Sequence, residues 1–173
     1  MLRAGVRLFC ALATFGLCSA SSFAEPTDPT ADPIGARVRG ATPRMARLIE
    51  DATRRSSTFA SLVTALNRTD VIVYVQETKD LPSGVDGQLA VTTSRGGQRY
   101  LRAQVISGLG LKETISIVGH ELQHAIEVAE HGEVRDSHSL AALYRTIGLE
   151  APRGRFDTAA ARTIGKRVRA ELG

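Results

Sequence analysis

The segment Ile117-Val118-Gly119-His120-Glu121-Leu122-Gln123-His124-Ala125-Ile126 lies in a stretch with helical periodicity, which predicts a helix from about Lys112 to Glu130. Residues four apart on a helix lie one above the other on the same face, so His120 and His124 can direct two imidazole nitrogens at one point. Glu121 is about 100° round the helix from His120. Its carboxylate is therefore near that point but too far round the helix to bind the same metal ion easily. The pattern therefore predicts two metal ligands with a carboxylate beside them.

These residue types suit a zinc-dependent hydrolase. Zinc accepts imidazole nitrogens at about 2.0–2.1 Å and lowers the pKa of a bound water molecule toward about 7. A neighbouring carboxylate can then take the proton, and the hydroxide attacks a carbonyl group that the same ion polarises. On this hypothesis His120 and His124 bind Zn²⁺, and Glu121 is the catalytic general base.

The motif His-Glu-x-x-His at positions 120–124 resembles that of the zincin superfamily of metallopeptidases. The resemblance is strong around the motif and loose over residues 70–172. It implies hydrolysis of peptide bonds, with a peptide or protein as the substrate. It also implies a β-sheet before the helix, with an edge strand that holds the substrate in an extended form. The predicted hairpin Gln88–Ile106 lies at the corresponding place in the chain.

The third metal ligand separates the zincin subfamilies. Metzincins continue the motif with a glycine seven residues and a histidine ten residues after the first histidine. Glu127 and Glu130 occupy those positions here, so the metzincin pattern is excluded. The remaining resemblance is to gluzincins, in which a carboxylate on a later helix completes the site. Both cysteines, Cys10 and Cys18, lie in a segment that we expect to be removed, so a thiolate ligand is also excluded.

Asp157 is the predicted third ligand. It stands at the predicted start of the last helix, whose apolar stripe places it toward the core, and Gly165 would allow another helix to approach closely. Gluzincins normally use Glu here, so Asp157 is a departure with a shorter reach. The alternative role for Asp157 is an ordinary helix N-cap. Further candidates for the third ligand are Glu133, Asp136, His138 and Glu150.

Several residues around the motif have two interpretations each. Glu127, one turn beyond His124, either orients that histidine or is solvated. His131 lies about 10 Å further along the helix than His124 and is interpreted as an exposed helix-end histidine. Tyr144, Tyr100 and His138 are candidate donors to an oxyanion, although both tyrosines also suit an ordinary core position.

The rest of the chain predicts an α+β fold with a small, mostly antiparallel sheet packed on helices. The first helix begins at Thr42-Pro43, where Thr is the N-cap and Pro takes the first helical position. Predicted elements then follow in order: a helix from Ser57, strands 71–75, 88–93 and 98–106, the motif helix, a helix 137–147, a loop 148–155 and a helix 157–172.

The N-terminal segment has the layout of a secretory signal peptide, residues 1–24, with cleavage after Ala24. Arg3 and Arg7 precede an apolar run that is about half the length of a membrane-spanning helix. Residues 25–41 form a Pro-rich linker, with an inhibitory propeptide as the alternative, and residues 42–173 form the predicted metallohydrolase domain. The expected location is therefore the periplasm or the exterior, without stable membrane insertion after cleavage.

Charge and composition argue against nucleic acid as a partner. Removal of Arg3 and Arg7 would lower the formal charge from +4 to +2, and aromatic residues make up only 5% of the chain, too few for a stacking platform. The basic residues of the last helix and its approach are interpreted as a solvated face. The alternatives to a peptidase are a non-catalytic, zincin-like metal-binding module and an exported interaction protein without metal. An intact Glu121 favours the peptidase, since a purely structural site does not need it.

Overall fold

A computed structural model describes residues 36–151 and 155–173 of the chain. The predicted signal peptide and most of the predicted linker lie outside the described residues. The elements in chain order are β1 (Val38–Gly40), α1 (Pro43–Arg55), α2 (Ser57–Leu66), β2 (Val71–Thr78), β3 (Gly87–Arg95), β4 (Gln98–Ile106), α3 (Leu111–Glu130), α4 (Ser137–Ile147), β5 (Leu149–Ala151), β6 (Arg155–Asp157) and α5 (Ala159–Glu171). Among these residues, no helix combines the length and apolar character that a membrane span requires.

The main sheet has four strands in the order β1-β2-β4-β3. The α+β class is confirmed, but the prediction of a mostly antiparallel sheet is wrong. The pairs β1–β2 and β2–β4 are parallel, and only the predicted hairpin pair β3–β4 is antiparallel. Residues 38–40 belong to this sheet, although the sequence analysis places them at the end of the linker.

Burial explains why β4 rather than β3 lies beside β2. The inward residues of both central strands, Val71, Val73 and Val75 on β2 and Leu101, Ala103 and Val105 on β4, are fully buried beneath the helices. β3 is rich in polar residues and tolerates the edge position, where one side of its backbone is unpaired. The two most apolar strands thus share the centre of the sheet, and this arrangement makes their pairing parallel.

Helix α3 lies between the sheet and helix α5, and glycines allow α3 and α5 to pack closely. A Cβ atom added to Gly119 on α3 would lie 3.0 Å from Val168 Cγ2 on α5. One added to Gly165 on α5 would lie 3.4 Å from the Ser116 carbonyl oxygen. The Ser116 hydroxyl donates a hydrogen bond of 2.9 Å to the Gly165 carbonyl. The close approach predicted from Gly165 is thus present.

The segment before α5 is not the predicted loop. Residues 149–151 and 155–157 pair as the short antiparallel strands β5 and β6. Asp157 therefore ends a strand, and the prediction that it opens the last helix is wrong by two residues. The N-cap is Thr158, whose hydroxyl accepts a hydrogen bond from the Ala161 amide. Asp157 is therefore not the N-cap of the last helix, the alternative role that the sequence analysis left open.

Arg99 is the largest fully buried side chain, with 1% of its surface exposed. It extends from β4 to the C-terminal end of α3, where its guanidinium donates to the carbonyls of Val128 and His131 at 2.7 Å each and of Ala129 at 3.2 Å. Nε and Nη2 also form two 2.7 Å bonds with the Asp70 carboxylate, which lowers the pKa of Asp70. Arg99 thereby supplies donors to carbonyl groups at the end of the helix, where intrahelical partners run out; those of Val128 and His131 also accept from backbone amides.

Replacement of Arg99 by Met should destabilise the protein by about 3 kcal/mol or more, because the helix-end carbonyls and Asp70 lose their donor. Urea unfolding measures the change. Arg102→Met, on the same strand but exposed, is the matched control and should change stability by less than about 0.5 kcal/mol. Equal stability of the two variants would contradict the structural role of Arg99.

Glu171 connects the end of α5 to the start of α2. Its carboxylate accepts hydrogen bonds from the Ser56 hydroxyl at 2.5 Å, the Thr58 hydroxyl at 2.5 Å and the Thr58 amide at 3.0 Å. These donors favour the ionised form and lower the pKa of Glu171 to about 2. The ionised carboxylate therefore stabilises the fold above the pKa of the unfolded chain, and this contribution is lost as the pH falls toward 2.

Glu171→Gln should lower the free energy of unfolding by about 1 kcal/mol at pH 7, a value reduced by solvent screening of a partly exposed group. The difference from wild type should shrink as the pH is lowered from 7 to 3, because Glu171 of the unfolded chain, with its ordinary pKa, takes up a proton before Glu171 of the folded protein does. Urea unfolding at both pH values measures this, with the exposed Glu50→Gln as the control. A difference that is independent of pH would refute the assignment.

Candidate metal centre

Three ligand atoms from two separate parts of the chain converge at the C-terminal end of β6. His120 Nε2 lies 3.1 Å from His124 Nε2, and Asp157 Oδ1 lies 3.3 Å from the first nitrogen and 3.5 Å from the second. Among residues 36–151 and 155–173, this is the group of His, Asp and Glu side chains whose geometry could hold a metal ion. Both histidines predicted from the motif and the predicted third ligand, Asp157, are therefore brought together.

The backbone explains how these side chains meet. His120 and His124 occupy successive turns of α3, as their spacing predicts, and face α5. A Cβ atom on Gly165 would lie 3.3 Å from His120 Cβ, so a glycine at this position lets the middle of α5 lie against His120. Asp157 lies two residues before the start of α5, at the end of β6, and its carboxylate meets the two histidines there.

The other candidates for the third ligand lie elsewhere. Asp136 is exposed and caps α4 by accepting from the Ser139 amide. Glu133 is exposed and bonds to His131 at the end of α3, which agrees with the helix-end interpretation of that histidine. His138 and Glu150 are also exposed and outside the cluster.

Glu127 is buried and orients His124. Its Oε2 lies 2.8 Å from His124 Nδ1, so the imidazole donates there and presents Nε2 to the cluster. Tyr144 donates to the same oxygen at 3.4 Å and to the His124 carbonyl at 3.3 Å. The Thr158 hydroxyl donates to Glu127 Oε1 at 2.6 Å. Of the two interpretations of Glu127, the structure supports the orienting one, and the Tyr144 hydroxyl is engaged in the same network.

Tyr100 lies apart from this network. Its hydroxyl donates to the Gln98 side chain on the same strand, β4. The sequence analysis named it as a candidate oxyanion donor, and the structure does not bring it to the cluster.

Glu121 is 4% exposed and lies beside the three ligand atoms. Burial raises the pKa of its carboxyl to about 7, although the nearby His124 opposes the shift. A Cβ atom added to Gly87 on β3 would lie 2.5 Å from Glu121 Oε1, so only glycine at this edge leaves space for the carboxylate.

The ligands are electrostatically coupled. Burial lowers the pKa of His120, and the adjacent His124 lowers it further. Burial also opposes the charged form of His124, but the bonds to Asp157 and Glu127 raise its pKa to about 9. For Asp157, burial is outweighed by the bonds from His124 and Arg162, which hold its pKa below the usual range. Two anionic groups, Asp157 and Glu127, thus flank the protonated imidazole of His124. A metal cation could take the place of the proton that faces Asp157.

A cleft of about 730 Å³ opens beside the cluster. The edge strand β3 lines one side from Gly87 to Leu89, and α5 lines the other through Arg162, Lys166 and Arg169. The cluster residues His120, Glu121, His124 and Asp157 all line this cleft. Any ligand entering it would therefore reach the three ligand atoms and the Glu121 carboxylate together.

The sequence analysis did not identify Thr158, Arg162 or Gly87 as parts of the site. Thr158 could have been recognised as a capping residue placed one position after the predicted ligand. Arg162, assigned to a solvated face, instead donates through Nε to Asp157 Oδ2 at 2.7 Å. No sequence signal points to Gly87, because its role depends on how β3 packs against α3.

Comparison of the chain with models of known protein families, with curated proteins and with solved structures gives no match.

Replacement of Asp157 by Asn should weaken metal binding by more than about 100-fold, because loss of a partner outside the ligand set already costs 10–100-fold. Titration with zinc in competition with a chromogenic chelator measures the affinity. Asp136→Asn, which removes a carboxylate outside the cluster, is the matched control and should bind like wild type. Equal affinity of Asp157→Asn and wild type would exclude Asp157 as a ligand.

Proposed function

We propose that this chain is a zinc-dependent metallopeptidase in which Glu121 is the general base. The observation that carries the proposal is the convergence of His120 Nε2, His124 Nε2 and Asp157 Oδ1. A buried carboxylate, Glu121, lines the same cleft beside them. The resemblance of the motif to that of gluzincins supports the same assignment, with Asp157 in place of the glutamate.

The separation of the ligand atoms supports zinc. Ligands at 2.0–2.1 Å from a tetrahedral ion lie about 3.3 Å from one another. The three distances between the ligand atoms here are 3.1, 3.3 and 3.5 Å. Two imidazoles and one carboxylate are also the ligand set of catalytic zinc sites, in which the fourth position is open. When bound, zinc supplies Lewis acidity and lowers the pKa of a water molecule.

The protein's own groups account for the remaining requirements of hydrolysis. Glu121, with its pKa raised to about 7 by burial, can accept a proton from the attacking water and later return it to the leaving amine. Glu127 holds the imidazole of His124 with Nε2 toward the cluster. Gly87 keeps the backbone of β3 close to Glu121 without displacing it.

The cleft supports an extended peptide as the substrate. β3 is an edge strand, so its outer backbone groups can pair with another chain in the manner of an added strand. This edge meets the cluster at Gly87. We place the activity outside the cytoplasm, on the basis of the signal-peptide pattern in residues 1–24.

Glu121→Gln should leave the zinc content unchanged and reduce peptide hydrolysis by about 10²–10⁴-fold, the contribution typical of general acid–base catalysis. The purified protein is assayed for bound zinc and for cleavage of a peptide library. Glu130→Gln, an exposed substitution at the end of the same helix, is the matched control and should retain both properties.

Absence of bound zinc in the wild-type protein would refute the proposal. Zinc binding with equal, background hydrolysis in wild type and Glu121→Gln would instead support the alternative, a non-catalytic metal-binding module.

A further inference from the structure

The two oxygens of the Asp157 carboxylate have different partners. Oδ1 faces the two histidine nitrogens at 3.3 and 3.5 Å and accepts a 2.7 Å hydrogen bond from the Thr158 amide. Oδ2 is turned away from the histidines and accepts from Arg162 Nε at 2.7 Å. Arg162 thus engages one oxygen and leaves the other toward the cluster.

Thr158 links the same segment to α3. Its side chain is buried, and its hydroxyl has two partners: it accepts from the Ala161 amide at 3.1 Å and donates to Glu127 Oε1 at 2.6 Å. Glu127 in turn contacts His124 Nδ1 through its other oxygen. The chain of contacts therefore runs from His124 through Glu127 and Thr158 to Asp157, and returns from Asp157 Oδ1 to His124 Nε2.

We propose that Thr158 and Arg162 are positioning residues that hold Asp157 Oδ1 as the third, single-oxygen metal ligand. The inference rests on the proposed metal site. A short aspartate at the end of a strand reaches the histidines only if β6 and the start of α5 remain against α3. The Thr158–Glu127 bond fixes the distance between this segment and α3, and the bond from Arg162 fixes the rotation of the Asp157 carboxylate. Glu127 consequently aligns two of the three ligands, His124 directly and Asp157 through Thr158.

The test compares zinc affinities, measured by competition with a chromogenic chelator. Thr158→Val, which keeps the shape of the side chain but removes the hydroxyl, should bind zinc about 10–100-fold more weakly than wild type. Thr158→Ser retains the hydroxyl and should stay within about threefold of wild type. Thermal unfolding of each metal-free variant shows whether it is folded.

Ser56→Ala is the matched control for a lost helix cap. Ser56 caps α2 through its hydroxyl and donates to Glu171 on another helix, so it reproduces both bonds of Thr158 at a place remote from the metal ligands. This variant should lose thermal stability and keep wild-type zinc affinity. An equal loss of affinity in Ser56→Ala and Thr158→Val would overturn the proposal, because general destabilisation would then explain both.

Arg162→Gln provides an independent measurement if Thr158→Val does not fold, since Arg162 is exposed and outside the core. Removal of the positive charge of Arg162 would by itself strengthen the binding of a cation. A zinc affinity about tenfold weaker than that of wild type would therefore report the lost contact with Oδ2. A folded Thr158→Val or Arg162→Gln protein with wild-type affinity overturns the inference and leaves the proposed function intact. Failure of the wild-type protein to bind zinc refutes the proposed function itself.

Discussion

The contact between Arg99 and the C-terminal end of α3 determines where the helix that carries His120 and His124 lies. The last turn of a helix such as α3, which has 20 residues, leaves several carbonyl groups without intrahelical partners. Arg99 on the central strand β4 donates to three carbonyls at this end of the helix, and Asp70 balances its charge. Since both partners belong to rigid elements, the contact sets the position of α3 along the sheet. The register between Glu121 and Gly87, and thus the shape of the cleft, depends on it.

The second determinant is the close packing of α3 and α5. Gly119 and Gly165 remove side chains from the places where the helices meet, and the Ser116–Gly165 bond joins their backbones. Asp157 has a short side chain. The close approach of the helices compensates for this, because it brings Asp157 within 3.5 Å of both histidine nitrogens. The packing of small residues and the position of the short Asp157 side chain beside the histidines are therefore two aspects of the same geometry.

Local patterns in the sequence predict much of this structure, and long-range packing accounts for the rest. The spacing of His120 and His124 places both on one helix face whatever the fold, and Thr42-Pro43 marks the start of α1. The parallel pairing of β2 and β4 was not predicted, because hairpin signals report only neighbouring strands. Arg99 and Arg162 were missed for a related reason. A basic residue in a polar pattern suggests solvent exposure, and only the tertiary fold reveals that each is bonded to a carboxylate.

The ligands of the candidate centre come from α3 and from the junction before α5, which are separated in the chain by α4 and β5. An unfolded chain does not hold these groups together, so an ion bound here would bind the native state selectively. By mass action, free metal at 1,000 times the dissociation constant would add about 4.1 kcal/mol to the stability of such a protein. This is a large fraction of the total for a domain of this size. Metal supply would then govern the lifetime of the protein as well as its chemistry, and depletion of the ion would expose it to unfolding.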